Sequence, residues 1–215
     1  MEIPKHKVFI SYYHKDDQQY KDYLIEMAKK YDVFVDWSVA QDEVDDTNKT
    51  SERVREIIRD EYIKDATVMI VLCGKNTKYR KHVDWEIHAD MFDSPKNPQM
   101  GILVVNLPTI AGMSQVRAGG GDYEEKQIIS PNSTWVSYST RKEYEEDHPC
   151  LPIRLIDNFT AAITDRTIVP ITVVNWDTIV SSPLGLKKLL DNAFNRGKNK
   201  NLHYDHSRKL KGRNS

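Results

Sequence analysis

Residues Ala66–Cys73 (ATVMIVLC) form a near-continuous apolar run that Gly74 closes. A run of that length suits a central strand of a parallel sheet, covered on both faces. It falls far short of the roughly 20 apolar residues a membrane helix needs. The flanking segments alternate in period. Lys7–Ser11 (KVFIS) reads as a strand, and Asp16 and Asp17 then suit the first turn of a helix. Tyr20, Tyr23, Leu24, Met27 and Ala28 recur at helical spacing, and Val33–Asp36 reads as a second strand. Ser51 opens a second helix, with Val54, Ile57, Ile58 and Tyr62 on one face. A third helix is expected from about Arg80 to Phe92, followed by strand Gly101–Asn106. Strands alternating with helices imply right-handed crossovers and an α/β fold with helices on both faces of a parallel sheet.

The second half is less regular. Residues 107–165 contain Pro108, the run Gly119-Gly120-Gly121 and Trp135–Tyr138, which could form an edge strand. A stretch this long is functional or carries small elements of its own. Alternation resumes with a fifth strand near Ile171–Val174 and a helix from Pro183, for which Gly197 suits the stop. The expected organisation is one domain over 1–196, with the insertion at about 107–165, and a basic, disordered tail at 197–215. Residues 196–215 carry seven Lys/Arg and one Asp, a local charge of +6 within a chain of net −1. That tail lacks apolar periodicity and aromatic interleaving, so a solvated terminus is expected ahead of nucleic-acid binding. Only Cys73 and Cys150 are present, with no CxxC spacing, and the start MEIPKHKVFISYY has no signal-peptide core. A cytoplasmic protein with no metal and no membrane partner is expected.

Ligands of open parallel sheets bind outside the carboxyl ends of the strands. Here those ends are Ser11–His14, Asp36–Trp37, Gly74–Thr77 and Asn106–Leu107. The first loop, SYYHKDD, has no glycine for a dinucleotide fingerprint, and no GK[ST] of a P-loop occurs. A phosphate-cradling turn of a flavodoxin and the strand-3 aspartate of a receiver domain are also missing.

The ordered set Lys7-Val8-Phe9-Ile10-Ser11-Tyr12, Val35-Asp36-Trp37-Ser38, Ala66–Thr77 and Arg80-Lys81-His82-Val83-Asp84-Trp85-Glu86-Ile87 resembles the TIR superfamily. It is most similar to the bacterial TIR-like branch that includes NAD-consuming proteins of Thoeris anti-phage systems. The resemblance spans about residues 5–92, with weaker matches at Pro152–Asn158 and Val173–Asp177. It implies a flavodoxin-like three-layer fold with five mostly parallel strands. It also implies cleavage of the nicotinamide–ribose bond of NAD by a third-helix glutamate, here Glu86. NAD is then a substrate rather than a cofactor. The product is a cyclic or conjugated ADP-ribose second messenger for a separate effector protein, with self-association on activation. Where better-known TIR domains carry tryptophan and cysteine four and three residues before the glutamate, this chain has His82 and Val83, and the aromatic moves to Trp85.

Helical geometry puts Glu86 about 60° from Val83, on the rim of the buried stripe, with His82 about 40° away. A carboxylate there stabilises an oxocarbenium-like state, and the cationic nicotinamide leaves without an acid. Tyr12, Tyr13 and Trp37 either stack on adenine or nicotinamide or plug the sheet top. Ser11 bonds a phosphate or ribose, or its local backbone, and Asp36 completes the strand-2 end of the substrate-binding set. Asn76 and Thr77 bind substrate or cap the third helix. Arg80 forks onto pyrophosphate or lies on the surface, and His82 orients Glu86 or is half-exposed without a role. The acidic stretch Ser38–Thr50 is expected to be a loop over the substrate or in self-association. A rival reading is a non-catalytic TIR-like scaffold, which needs neither Glu86 nor an aromatic crevice.

Overall fold

The computed structural model describes residues 5–38, 49–93, 98–110, 115–119, 122–129, 135, 137–165, 171–199 and 201–210. Strands β1 (Lys7–Ser11), β2 (Val35–Asp36), β3 (Val68–Cys73), β4 (Gly101–Asn106) and β5 (Ile171–Asn175) form one parallel sheet in the order β2-β1-β3-β4-β5. Helices α1 (His14–Tyr31), α2 (Ser51–Ile57), α3 (Lys81–Asp90), α4 (Tyr123–Ile129), α5 (Arg141–Asp147), α6 (Ile153–Asp165), α7 (Trp176–Ser181) and α8 (Pro183–Gly197) connect and follow them. A π-helical turn, Ile58–Tyr62, extends α2, and a 3-10 turn, Thr77–Tyr79, precedes α3. Among the described residues no helix is long and apolar enough to cross a membrane.

The two-residue period of the strands builds two cores. Phe9, Met69, Val71, Ile102 and Val104 face one way and take Val54, Val83, Ile87, Leu155 and Phe159 from α2, α3 and α6. Ile10, Val68, Ile70, Leu72, Leu103 and Val105 face the other way and take Leu24, Met27, Leu186, Leu189 and Leu190 from α1 and α8. All six residues of β3 are buried, as the apolar run requires. The result is the expected three-layer α/β fold. In the order 2-1-3-4-5 the sheet reverses its winding between β1 and β3, the switch point beyond whose carboxyl ends open α/β sheets bind their ligands.

Several local expectations meet specific geometry. Helix α1 carries Asp16 and Asp17 in its first turn and ends at Asp32, whose left-handed φ of 59° takes the conformation usually given to glycine. Gly197 is the last residue of α8 rather than a stop beyond it. Its role is close approach. A Cβ on Gly101 would lie 1.8 Å from the Ala193 carbonyl oxygen, and one on Gly197 would lie 2.4 Å from the Gly101 nitrogen. Helix α8 therefore rests on bare β4 backbone. Trp135, Ser137 and Tyr138 form no strand; instead Arg117 pairs antiparallel with Val173 at the sheet edge. The 107–165 insertion supplies α4, α5 and α6. The acidic residues Asp42–Asp46 lie outside the described residues.

The tail departs most from expectation. Residues 201–210 pack as a strap across α6 and the start of β4. Leu202 and Tyr204 are buried, and the Tyr204 hydroxyl donates to the Met100 carbonyl at 2.9 Å. Gln99 Nε2 donates to the Leu202 carbonyl at 2.9 Å, and Asn158 Oδ1 accepts from Asp205 N at 2.8 Å. Two apolar anchors and side chains that satisfy strap backbone replace the missing periodicity.

The bare contact between α8 and β4 predicts that Gly101→Ala is overpacked by about 2–3 kcal/mol and lowers the melting temperature by roughly 5–10 °C. Calorimetry of the variant checks this, and an unchanged melting point would mean that α8 shifts freely.

Candidate functional site

Strand parity aims Ser11 at the α3 side of the sheet, along with Phe9. There its Oγ donates to Glu86 Oε2 at 2.5 Å, a short, charge-assisted bond. Ser11 is 1% exposed and Glu86 4%. The expected half-exposed rim position of Glu86 is thus corrected. Every residue from Val83 to Asp90 is buried, because α3 is enclosed by β1, α2, the π-helical turn and α6. Trp85 is 3% exposed, belongs to the core, and meets His82 edge-on at 5.3 Å between ring centres.

Tyr12 points to the opposite face. Its hydroxyl donates to Gln18 Oε1 at 2.6 Å and its ring stacks on His14 at 4.3 Å. Burial, then the negative charges of Asp22, Glu86 and Asp36, push its phenol up to about 12, so it remains a neutral donor. Tyr13 occupies the N-terminal boundary position of α1, where only its backbone carbonyl bonds the helix, and its ring lies 3.9 Å from the Arg80 guanidinium. Arg80 also donates to the Asn76 carbonyl at 3.4 Å. The Gly74–Thr77 loop is tied to α1: Asn76 Nδ2 donates to Asp16 Oδ2 at 2.7 Å. Thr77, fully buried, accepts from Gly74 N at 2.8 Å and turns its hydroxyl to Asp17 and the Leu72 carbonyl. Neither Asn76 nor Thr77 caps α3.

Ser11 and Glu86 therefore meet at the end of β1, Tyr12 turns to the other face, Tyr13 and Arg80 form a stacked pair, and Asn76 and Thr77 brace the loop. Asp36 accepts from Ser38 N at 3.0 Å in a local turn, and its charge reaches Tyr12. Trp37 is not in this group. Its backbone pairs with Val8, three residues short of Ser11, and its indole donates to the Lys64 carbonyl at 2.7 Å beneath the Lys7 ammonium.

Two residues that sequence reasoning passed over shape the site. Asp17, read only as a helix-start residue, is 1% exposed, and a Cβ on Gly74 would lie 2.6 Å from its carboxylate oxygens. The glycine closing the β3 run signals this approach. Arg154 is fully buried and forks onto Asp84, Nε to Oδ1 and Nη2 to Oδ2, both at 2.9 Å. Nothing in LPIRLID marks that arginine as an inward one.

Burial, reinforced by Asp16, raises the Asp17 carboxyl to about 6 from 3.8. Its protonated form is favoured in the folded state, so the native protein loses stability as pH rises through about 4 to 6. Asp17→Asn, neutral at all pH, is expected to melt a few degrees above the wild type at pH 8 and level with it at pH 4. A pH-independent difference in thermal melts would overturn the assignment.

No curated protein matches the chain. The family model described as Thoeris protein ThsB, TIR-like domain, matches residues 9–111, the span from β1 through β4 that holds Ser11, the Gly74–Thr77 loop and Glu86. Residues 9–111, which carry β1 to β4 of the five-stranded parallel sheet, match a TIR-like domain of the Thoeris type.

Proposed function

We propose that this protein is an NAD-cleaving TIR-like enzyme, an NAD nucleosidase or ADP-ribosyl cyclase. It releases nicotinamide and makes a cyclic or conjugated ADP-ribose signal for a separate effector in anti-phage defence. The observation that carries this reading is the Ser11–Glu86 pair at the topological switch point. Ser11 orients a carboxylate held away from water, where its charge acts most strongly on a developing cation. The C1′–N bond breaks with its electron pair going to the pyridine nitrogen, which becomes neutral, so no acid is needed. The ribosyl cation, stabilised by Glu86, is then captured by water, which gives up a proton, or by a nucleophilic atom of the ADP-ribose itself. Tyr13 and Arg80 offer a flat ring and a guanidinium for the base and pyrophosphate. The near-complete burial of Glu86 and Ser11 fits a resting enzyme that opens on activation.

That same burial is the observation that favours the rival reading, a TIR-like scaffold in which Glu86 only orders α3. Substitution separates the two. Glu86→Gln keeps size and hydrogen bonding, and nicotinamide release by the folded variant is expected to fall at least about 100-fold. Turnover at the wild-type rate would sink the assignment, and a wild type that releases no nicotinamide, with or without infected-cell lysate, would favour the scaffold.

Trp37 gives a second test. Because its ring serves Lys7 and the Lys64 carbonyl, Trp37→Ala should lower the melting temperature and leave KM for NAD unchanged. Arg80→Ala should raise KM roughly tenfold, about 1.4 kcal/mol, with little loss of stability. Steady-state kinetics alongside thermal melts report both.

A further inference from the structure

Helix α3 is gripped from two sides. Glu86 meets Ser11 of β1. Asp84, two residues earlier and about 200° around the helix, meets Arg154 of α6. Arg154 has five N–H donors. Nε and Nη2 take the two Asp84 oxygens, Nη1 takes the Arg208 carbonyl at 2.9 Å, and Nη2 also takes the Lys209 carbonyl at 3.2 Å. The strap is held again beside this point: Asn158 bonds the Arg154 carbonyl and the Asp205 amide, and Arg208 pairs with Asp157. A guanidinium is planar and rigid, so its fork fixes the rotation and height of whatever carboxylate it grips.

We infer that Arg154 is a positioning residue for Glu86: through Asp84 it sets how α3 presents that carboxylate to Ser11, and strap residues 205–209 lock Arg154 in the required pose. The inference rests on Glu86 being the catalytic carboxylate, but its structural half does not. The strap is then part of the active-site machinery, although it lies on the far side of α3 from Ser11.

The test uses the full chain with Arg154→Met, Arg154→Lys and Asp84→Asn, each read by amide hydrogen exchange and by NAD kinetics. A control, Arg141→Met, removes a neighbouring cation that pairs with Asp157 and leaves α3 untouched. Arg154→Met and Asp84→Asn are expected to lower protection of α3 amides at least about tenfold while β3 stays within about twofold. They should also lower kcat at least about tenfold with KM within about threefold, the signature of a displaced catalytic group. Arg154→Lys keeps the charge but cannot span both carboxylate oxygens and both carbonyls, so it should fall between; it carries the test should Arg154→Met fail to fold. The control should match the wild type.

Unchanged α3 protection and unchanged kcat in a folded variant would overturn the inference. So would an equal loss of protection in every strand, which marks a purely structural pair. If the wild type releases no nicotinamide, the enzymatic reading falls, and the exchange experiment alone decides whether Arg154 positions α3.

Discussion

The buried fork between Arg154 and Asp84 is the constraint to which much of the rest conforms. Both ions give up their water to form it, so its net gain over an apolar pair of the same volume is small. Its effect lies in what it forbids. Any other rotation of α3, or any other seating of α6, leaves a guanidinium or a carboxylate unpaired in the interior, at about 3–5 kcal/mol. The strap supplies carbonyls for the donors the fork leaves over. A polar centre thus joins three segments that are distant in sequence, within a mostly apolar layer.

The same logic recurs across the sheet. Glu125, fully buried, accepts from Gly119 N, Thr172 and Arg196, which ties α4, β5 and α8 together on the other face. On each face an apolar bulk drives folding, and a buried ion pair, Arg154–Asp84 on one side and Arg196–Glu125 on the other, favours a single arrangement. The switch point lies between these layers, where β1 and β3 send their connections to opposite faces. Strand parity turns Ser11, the last residue of β1, to the α3 side, where its hydroxyl meets the Glu86 carboxylate.

Much of the fold was legible because it rests on period and polarity. The β3 run, the β4 limits at Gly101 and Asn106, and the alternation of α1 with its neighbours follow from local rules alone. The pairing of Ser11 with Glu86 was half legible: strand-end and helix positions located both residues, but helical angle alone put Glu86 on a rim, because a single helix cannot report that α6 covers its outer side. Trp37 misled for a related reason. β2 is only two residues long and pairs low on β1, so its end does not reach the end of β1. The insertion hid a signal that could have been read, since Thr140 and Glu143 form a capping box that opens α5. The strap and Arg154 could not have been found this way. Their partners are backbone carbonyls more than 50 residues away, which leave no trace in composition or spacing.

The order of those partners along the chain has a consequence for synthesis. Asp84 leaves the ribosome first, and Arg154 follows 70 residues later; its strap carbonyls come a further 54 and 55 residues on. At ordinary rates of translation, about 5–20 residues per second, the guanidinium waits roughly 3 to 11 seconds with part of its donor set unsatisfied. During that interval α3 and α6 have their apolar partners on β1, β3 and β4 but not their final clamp. The clamp on α3 is complete only once the last of its three segments has been made.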